Sequence, residues 1–325
     1  MFEILNRLQK NPAFLTRILI ASLFVNLLAL ATPIYVIQVL QRYVAYGVTS
    51  TLITLVAGVI VISIFEFFFR NIRHRMAREL EPINTDLANQ VMLKLSSIKT
   101  SFYAFNKKFR SDIITTHVQS IQQTLTATTT LVVIDLPFSL IFIIATFLIH
   151  YQLGLIVVAF LFLPFFINYL YSSGIYGSIN KITSTSVNTA RIYDNVTSRN
   201  TSVRYFNLLL VISKTWNLIL DQFISFRETV EKNKNLLSSS LALISTFTTI
   251  IIIGWGAVLA VDGQISVGAL IGANILATRA ITPSIKFIQT LEPIKKAETS
   301  LKEVEAILKF PSEKSVNFSP TGIPF

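Results

Sequence analysis

The chain has 325 residues, of which 52% are hydrophobic and only 14% are charged. Soluble domains carry about a quarter charged residues, so this composition excludes an ordinary water-soluble enzyme and a disordered chain and indicates an integral membrane protein. The absence of Cys excludes disulfides, zinc–thiolate sites, thiol nucleophiles and iron–sulfur clusters. A formal net charge of +11 is typical of nucleic-acid binders, but in a membrane protein the positions of the basic residues carry the information.

Six apolar stretches are long enough to cross a bilayer, whose hydrocarbon core of roughly 30 Å needs about 20 helical residues. They lie at about residues 18–40, 51–69, 131–149, 153–171, 241–261 and 267–287. The sixth is the weakest because it contains Arg279 and Pro283. Only residues 150–152 separate the third span from the fourth, and only residues 262–266, with an Asp-Gly pair typical of a turn, separate the fifth from the sixth. The sequence therefore predicts an all-α membrane protein with six transmembrane helices.

The first apolar stretch also has the layout of a signal peptide. Arg7, Lys10 and Arg17 precede an apolar run that ends in Ala-Leu-Ala at residues 29–31. The apolar pattern continues to Leu40, further than the apolar region of a signal peptide needs. We therefore interpret the stretch as a membrane span, with cleavage as the alternative.

Two intervals of about 60 residues, between spans two and three and between spans four and five, are polar but lack the Gly/Pro clusters of a linker. Apolar residues recur in both at intervals of three or four, which is typical of amphipathic helices. They are Leu80, Ile83, Leu87, Val91, Leu95 and Ile98 in the first interval, and Trp216, Ile219, Phe223, Phe226 and Val230 in the second. We expect helices that continue out of the membrane, turn and return, over about residues 70–130 and 172–240.

The basic residues predict the orientation. Nine lie between Arg70 and Arg110 and eight between Lys181 and Lys234, whereas the three short connections hold only Arg42. The positive-inside rule, which is strictest for loops shorter than about 60 residues, then places both termini and both long intervals in the cytoplasm. We predict a cytoplasmic segment over residues 1–17, a membrane domain over 18–290 and a cytoplasmic linker helix and tail over 291–325.

The motifs of covalent chemistry are missing from the sequence. It contains no Gly-x-x-x-x-Gly-Lys-Ser/Thr phosphate-binding loop and no Gly-x-Ser-x-Gly nucleophile turn. The three histidines, His74, His117 and His150, lie far apart and have no metal-ligand spacing. We therefore predict no catalytic residue, no metal site and no cofactor bound by this chain itself.

Three segments point to one family. They are Asn-Leu-Leu-Ala-Leu-Ala-Thr-Pro-Ile-Tyr-Val-Ile-Gln-Val at 26–39, Asp-Leu-Pro-Phe at 135–138, and Val-Gly-Ala-Leu-Ile-Gly-Ala-Asn-Ile-Leu-Ala-Thr-Arg-Ala-Ile-Thr-Pro at 267–283. With the two long extensions, they resemble the first, third and sixth spans of ABC exporters of the type I secretion class, which includes haemolysin and adhesin exporters. The resemblance covers essentially the whole chain and implies the ABC exporter (type 1) transmembrane fold.

In that family, short coupling helices at the tips of the extensions contact a nucleotide-binding domain. By position, the resemblance places the first tip at residues 102–111 and the second at 199–206. The implied contact residues are Phe102, Tyr103, Asn106, Lys107, Lys108 and Arg110 in the first tip, and Arg199, Thr201, Val203, Arg204 and Phe206 in the second. Mixed aromatic and basic residues suit a docking surface. The alternative is that these tips are ordinary solvated helical turns.

The chain departs from the family pattern at three points. Phe109 stands where the family usually has a glycine, and His117 stands where it usually has an aspartate. The family's chain would also continue after residues 302–309 into an ATPase domain. We expect that the ATPase is another polypeptide, that the sequence is part of a longer chain, or that the protein is a degenerate paralogue.

Polar residues within the spans predict a translocation path. A charge near the middle of a span costs at least roughly 2.5 kcal/mol, so Arg279 should face a water-filled cavity or a partner. Asn274, Thr278 and Thr282 follow one another at one-turn intervals beside Arg279. We predict that these four residues line the path together with Asp135.

Other polar and small residues carry weaker signals. Asp135 and Glu66 lie near span ends, where an interfacial position is favoured over a substrate role. Pro137 is expected to start or kink its helix. Gly268 and Gly272 form a small-xxx-small pattern that suits close helix contact.

The resemblance implies the membrane subunit of an ATP-driven exporter of polypeptides in the bacterial inner membrane. It implies a homodimer, or a heterodimer with a complete exporter, and ATP and Mg²⁺ on the associated nucleotide-binding domain. It also implies a periplasmic adaptor and an outer-membrane channel as partners, and no nucleic acid. Two alternatives remain: a non-transporting scaffold or regulator that pairs with a complete exporter, and an ATP-independent transporter, which leaves the long extensions without a purpose.

Overall fold

The structure is a computed structural model that describes residues 12–79, 82–97, 111–198, 200–309 and 311. Every regular element in these ranges is helical, which confirms the predicted all-α fold. The helices are α1 (Pro12–Leu28), α2 (Ala31–Gln38), α3 (Thr49–Arg78), α4 (Pro82–Ser97), α5 (Ser111–Thr124), α6 (Ala127–Ile149), α7 (Tyr151–Ser198), α8 (Asn200–Tyr205), α9 (Leu209–Val261) and α10 (Val267–Leu308), with a π-helical turn over Val39–Val44 after α2.

Five helical segments of the described chain are long and apolar enough to cross a membrane, so the protein is a multi-pass membrane protein. They are Pro12–Val44, Thr49–Arg78, Ala127–Ile149, Tyr151–Ile175 and Leu209–Val261. The sixth predicted span is the first half of α10, which is helical throughout but lies outside these five. Its polar residues, among them Asn274 and Arg279, lower its hydropathy.

Two helices are much longer than a membrane requires. Helix α7 has 48 residues and α9 has 53. At a rise of 1.5 Å per residue they measure about 72 Å and about 80 Å, against a bilayer core of about 30 Å. The two helices pack along each other. The predicted apolar stripe on α9 is half-buried at Trp216 and buried at Val230, so it forms part of this contact surface.

The two predicted hairpins lie together at the opposite end of the bundle. His150 alone separates α6 from α7, and residues 262–266 separate α9 from α10, with Gly263 at a φ of +73° that favours glycine. The Nε2 of His150 lies 3.1 Å from the Oε1 of Gln264. The indole N–H of Trp255 donates to the Oε1 of Gln152 at 2.9 Å. These side-chain contacts join one hairpin to the other.

Helix α10 is the central element, because residues from it enter each hydrophobic cluster of the described chain. Small residues permit its close packing: a Cβ added at Gly268 would lie 2.9 Å from the carbonyl oxygen of Ile37, and one at Gly272 would lie 2.4 Å from the Ile37 side chain. Inside lipid, helices associate by such close packing because the hydrophobic effect no longer favours burial of one helix against another. The glycine pattern at 268 and 272 is therefore a contact surface for α2.

Beyond the membrane helices, α4, α5 and the end of α10 share their own cluster. Val91, Ile121 and Val304 are its most buried members. The cluster accounts for the apolar periodicity of α4 from Leu87 to Leu95; Leu80 and Ile98 of that pattern lie outside the described residues. At its edge, His117 of α5 places its Nδ1 3.1 Å from the hydroxyl of Ser300 of α10.

Protonation of His117 should loosen the contact between α5 and α10. Burial lowers the pKa of His117 below its ordinary 6.5. The negative charge of Glu303 raises this pKa, and the positive charge of Lys296 lowers it further. Above pH 6.5 the imidazole is neutral in the folded and the unfolded chain. As the pH falls through 6.5 toward the lower folded-state value, the unfolded chain binds the proton first, so folded-state stability is lost.

We therefore expect the midpoint temperature of thermal unfolding in detergent to decrease as the pH is lowered from about 7.5 to about 5.5. The decrease should be smaller in His117→Gln, because glutamine does not titrate in this range. Equal pH dependence in the two proteins would contradict the assignment to His117.

Candidate functional site

Charged side chains from α3, α6 and α10 meet at a cavity of about 310 Å³ whose fourth wall is α1. Its charged lining consists of Arg70, Arg73, Asp135, Arg279 and Lys286. Apolar side chains from α1 and α6, among them Val25 and Phe142, complete the wall. The cavity therefore brings four helices around one strongly basic space.

A buried ion pair ties three of these helices together. Arg73 of α3 is only 6% exposed, and its guanidinium donates from both terminal nitrogens to the carboxylate of Asp135 of α6, with Nη2 3.3 Å from Oδ2. Nη1 also donates to the hydroxyl of Ser22 of α1 at 3.4 Å. Bidentate arginine–carboxylate pairs fix geometry as well as charge, so this pair sets the mutual positions of α1, α3 and α6.

A second ion pair runs along α3. Arg70 donates to Glu66 one turn earlier on the helix, with the Arg70 side chain 54% exposed and that of Glu66 16% exposed. Pairs of this exposed kind contribute only about 0–1 kcal/mol to stability. Its role at the cavity is therefore to set where the Arg70 charge lies.

Arg279 and Lys286 contribute two further cations from α10. They lie on the same face of the helix as Thr282, since the three residues are spaced by three and four positions. Neither has an ion-pair partner among the residues that the structure describes. After the pairs of Arg70 and Arg73 are taken into account, Arg279 and Lys286 leave the cavity with an excess of positive charge.

The structure divides the predicted path residues into two groups. Arg279, Thr282 and Asp135 line the cavity, whereas Asn274 and Thr278 are outside its lining. The Oδ1 of Asn274 is buried without a hydrogen-bond partner in the described part of the chain, and the exposed Thr278 donates to the carbonyl of Asn274 at 3.0 Å.

Asp135 lies two turns from the start of its helix, since α6 begins at Ala127, and its carboxylate pairs with Arg73 of α3. Pro137 also lies within α6 and does not start it.

Sequence reasoning missed three charged residues of this site. Arg70 and Arg73 were counted only among the positive charges near a span end, and Lys286 only as part of the span. Helical spacing held a usable signal for all three: Glu66, Arg70 and Arg73 share one face of α3, and Lys286 lies two turns after Arg279. Spacing alone gave no indication that the two faces meet.

The second predicted coupling tip is a short helix between the two longest helices. Within it, Val203 is buried while Thr201 and Arg204 are exposed. Tyr205 is 86% exposed and the following Phe206 is 69% exposed, with their rings edge to face at 5.7 Å. Leu209 and Leu210, at the start of α9, are also exposed, although no sequence pattern had pointed to them. The tip thus presents aromatic, aliphatic and basic side chains outward.

The first predicted tip falls outside the described residues. This applies to Phe102, Tyr103, Asn106, Lys107, Lys108 and Arg110, and also to Arg199 of the second tip. In the described ranges, no group of three or more His, Asp or Glu residues is placed to hold a metal ion.

The sequence was compared with known families and proteins. The family model described as the ABC transporter transmembrane region matches residues 15–283. The chain is 24% identical over 302 residues to the leukotoxin translocation ATP-binding protein of Bibersteinia trehalosi, covering 91% of this chain and 42% of that protein. It is 24% identical over 309 residues to the alpha-hemolysin translocation ATP-binding protein of Escherichia coli O157:H7, covering 94% and 43%. The chain thus spans less than half the length of these relatives.

The buried ion pair makes a sharp stability prediction. Asp135→Asn leaves the guanidinium of Arg73 buried without a counter-charge, so we expect a loss at the low end of about 3–5 kcal/mol, low because Asp135 is partly exposed. Glu66→Gln, which breaks the exposed pair on α3, should cost less than about 1 kcal/mol. Unfolding in detergent measures both changes.

The double variant Arg73→Met with Asp135→Leu is the control for this prediction. Because it removes both charges, it should be more stable than Asp135→Asn alone. Equal losses for Asp135→Asn and Glu66→Gln would show that the pair is not a buried constraint.

Proposed function

The chain belongs to the ABC transporter transmembrane family and is similar to type I secretion exporters over most of its length, and from this we propose that it forms the membrane part of an ATP-driven exporter of polypeptides. The relatives' names describe translocation of leukotoxin and alpha-hemolysin, which are polypeptide cargoes. The match to the transmembrane family over residues 15–283 supports the exporter architecture. The proposal that the cargo is a polypeptide is based on the names of these relatives.

The observation that carries the proposal is the length of α7 and α9. Each exceeds the bilayer core by about 40 Å or more, and the short helix α8 lies between their distant ends. Exposed Tyr205, Phe206 and Arg204 give that end a surface suited to a protein partner, since aromatic residues and arginine are enriched at interfaces. We propose that this surface receives a nucleotide-binding domain.

ATP and Mg²⁺ would then bind to that partner domain, because these 325 residues contain no phosphate-binding glycine loop. Hydrolysis on the partner supplies the free energy for transport. The part played by this chain is mechanical: α7 and α9 pack side by side along their lengths, so displacement of α8 moves their membrane portions together.

The proposed location is the bacterial inner membrane, with α8 in the cytoplasm and the two hairpins in the periplasm. The distribution of Lys and Arg supports this orientation. We further propose that two membrane domains, from two copies or from one copy and a complete exporter, enclose the path. A periplasmic adaptor and an outer-membrane channel would extend the path outward.

The absence of Cys permits a direct test of orientation. We expect Thr201→Cys, on exposed α8, to react with a membrane-impermeant maleimide only after the inner membrane is opened. Asp262→Cys, in the hairpin before α10, should react in intact spheroplasts. The two variants share one background and serve as each other's control. Labelling of Thr201→Cys in intact spheroplasts would overturn the proposed coupling side.

Transport should depend on the polar face of α10. In the reconstituted complex with its nucleotide-binding domain, Arg279→Leu should reduce cargo transport at least about tenfold, because it removes the charge that the path is proposed to keep hydrated. Arg227→Leu removes an exposed arginine of α9 that pairs with Glu231, and should leave transport near the parental rate. Full transport by Arg279→Leu would show that this face of α10 does not line the translocation path.

A further inference from the structure

The cavity between α1, α3, α6 and α10 has more positive than negative side chains in its lining. Four of its lining residues are Arg or Lys and one is Asp. Asp135 is engaged by Arg73, and Arg70 is engaged by Glu66. Arg279 and Lys286 remain without ion-pair partners in the described part of the chain, so the space between them favours an anion.

An independent observation also points to a ligand. The Nε of Arg73 is buried and has no hydrogen-bond partner among the described residues, although Arg73 itself is only 6% exposed. A buried N–H donor is almost always paired in a folded protein. Arg73 lines the cavity, so this unsatisfied guanidinium belongs to the wall of the basic space, with its Nε covered by neighbouring atoms.

The depth of the cavity indicates which anion it meets. Counted from the hairpin end of α10, Arg279 lies about 18 Å along the helix and Lys286 about 28 Å. In a bilayer core of about 30 Å, the cavity therefore extends from the boundary on the extension side into the adjacent leaflet. Lipid phosphate groups occupy that boundary.

The surroundings of the cavity also suit a lipid. Phe24 and Phe69, which precede the lining residues Val25 and Arg70 in sequence, stack at a ring distance of 5.3 Å, and Phe24 is 46% exposed. Phe65 and Phe68 on α3 are exposed as well. Two of the helices that line the cavity therefore also carry an exposed aromatic surface, on which the acyl chains of a bound lipid would pack.

We propose that this cavity binds the phosphate group of an anionic phospholipid from the leaflet on the side of the extensions. Arg279 and Lys286 supply the charge, and the guanidinium of Arg73 lies in the wall of the same cavity. Basic pockets between membrane helices are a known form of anionic-lipid site. The proposal is independent of transport, because binding needs neither ATP nor cargo.

The experiment titrates the purified full chain in mild detergent with phosphatidylglycerol or phosphatidylcholine and counts retained lipids by native mass spectrometry. Phosphatidylglycerol should bind and phosphatidylcholine should not, because only the former has a net negative headgroup. Lys286→Gln and Arg279→Gln should each weaken binding roughly fivefold, and together more strongly. Lys286→Arg, which keeps the charge, should retain binding.

Lys302→Gln is the matched control, since Lys302 is an exposed lysine on the same helix about 24 Å beyond Lys286. Equal weakening by Lys302→Gln, or equal binding of the two lipids, would overturn the proposal. Displacement of phosphatidylglycerol by millimolar inorganic phosphate would instead make the cavity a site for soluble anions. Displacement by a short acidic peptide would assign it to cargo, and either result would refute a lipid site.

Discussion

The arrangement of the membrane helices depends on where charged side chains can lie inside an apolar bundle. A buried guanidinium without a counter-charge is costly, and Arg73 pairs with the carboxylate of Asp135. Their bidentate contact, with Ser22 as a third participant, fixes α3 and α6 against α1. Once these three helices are fixed, the remaining space beside them is the cavity that α10 closes.

Helix α10 can close the cavity because the chemistry of one of its faces changes along its length. Near the hairpin, Gly268 and Gly272 allow α2 and the π-helical turn to approach the backbone. Two to four turns further along the same face, Arg279 and Lys286 line the cavity. This helix is the least apolar of the predicted spans, yet it contributes residues to each hydrophobic cluster of the described chain.

The sequence predicted the features that depend on local pattern. Apolar length located five spans, the three-and-four spacing predicted the amphipathic stripe ending at Val230, and the Asp-Gly pair predicted the turn at Gly263. The pairing of Arg73 with Asp135 could not be predicted in this way, because 62 residues separate them and helical spacing does not fix how one helix is rotated against another. For the same reason Thr282 and Arg279 reach the cavity whereas Thr278, on the same predicted stripe, does not.

One continuous helix connects the cavity with the extensions. Over its 42 residues α10 passes from the hairpin, past Arg279, to Val304 in the cluster with α4 and α5. Pro283 lies in the cavity wall, and Pro293 lies between the cavity and that cluster. Each lacks the N–H that would bond the carbonyl four residues earlier, so the helix has fewer hydrogen bonds there than elsewhere and bends at least cost. A displacement of the extensions is therefore either transmitted along α10 to the cavity wall or absorbed at these two prolines, and the stiffness of this short segment decides how strongly the two ends are coupled.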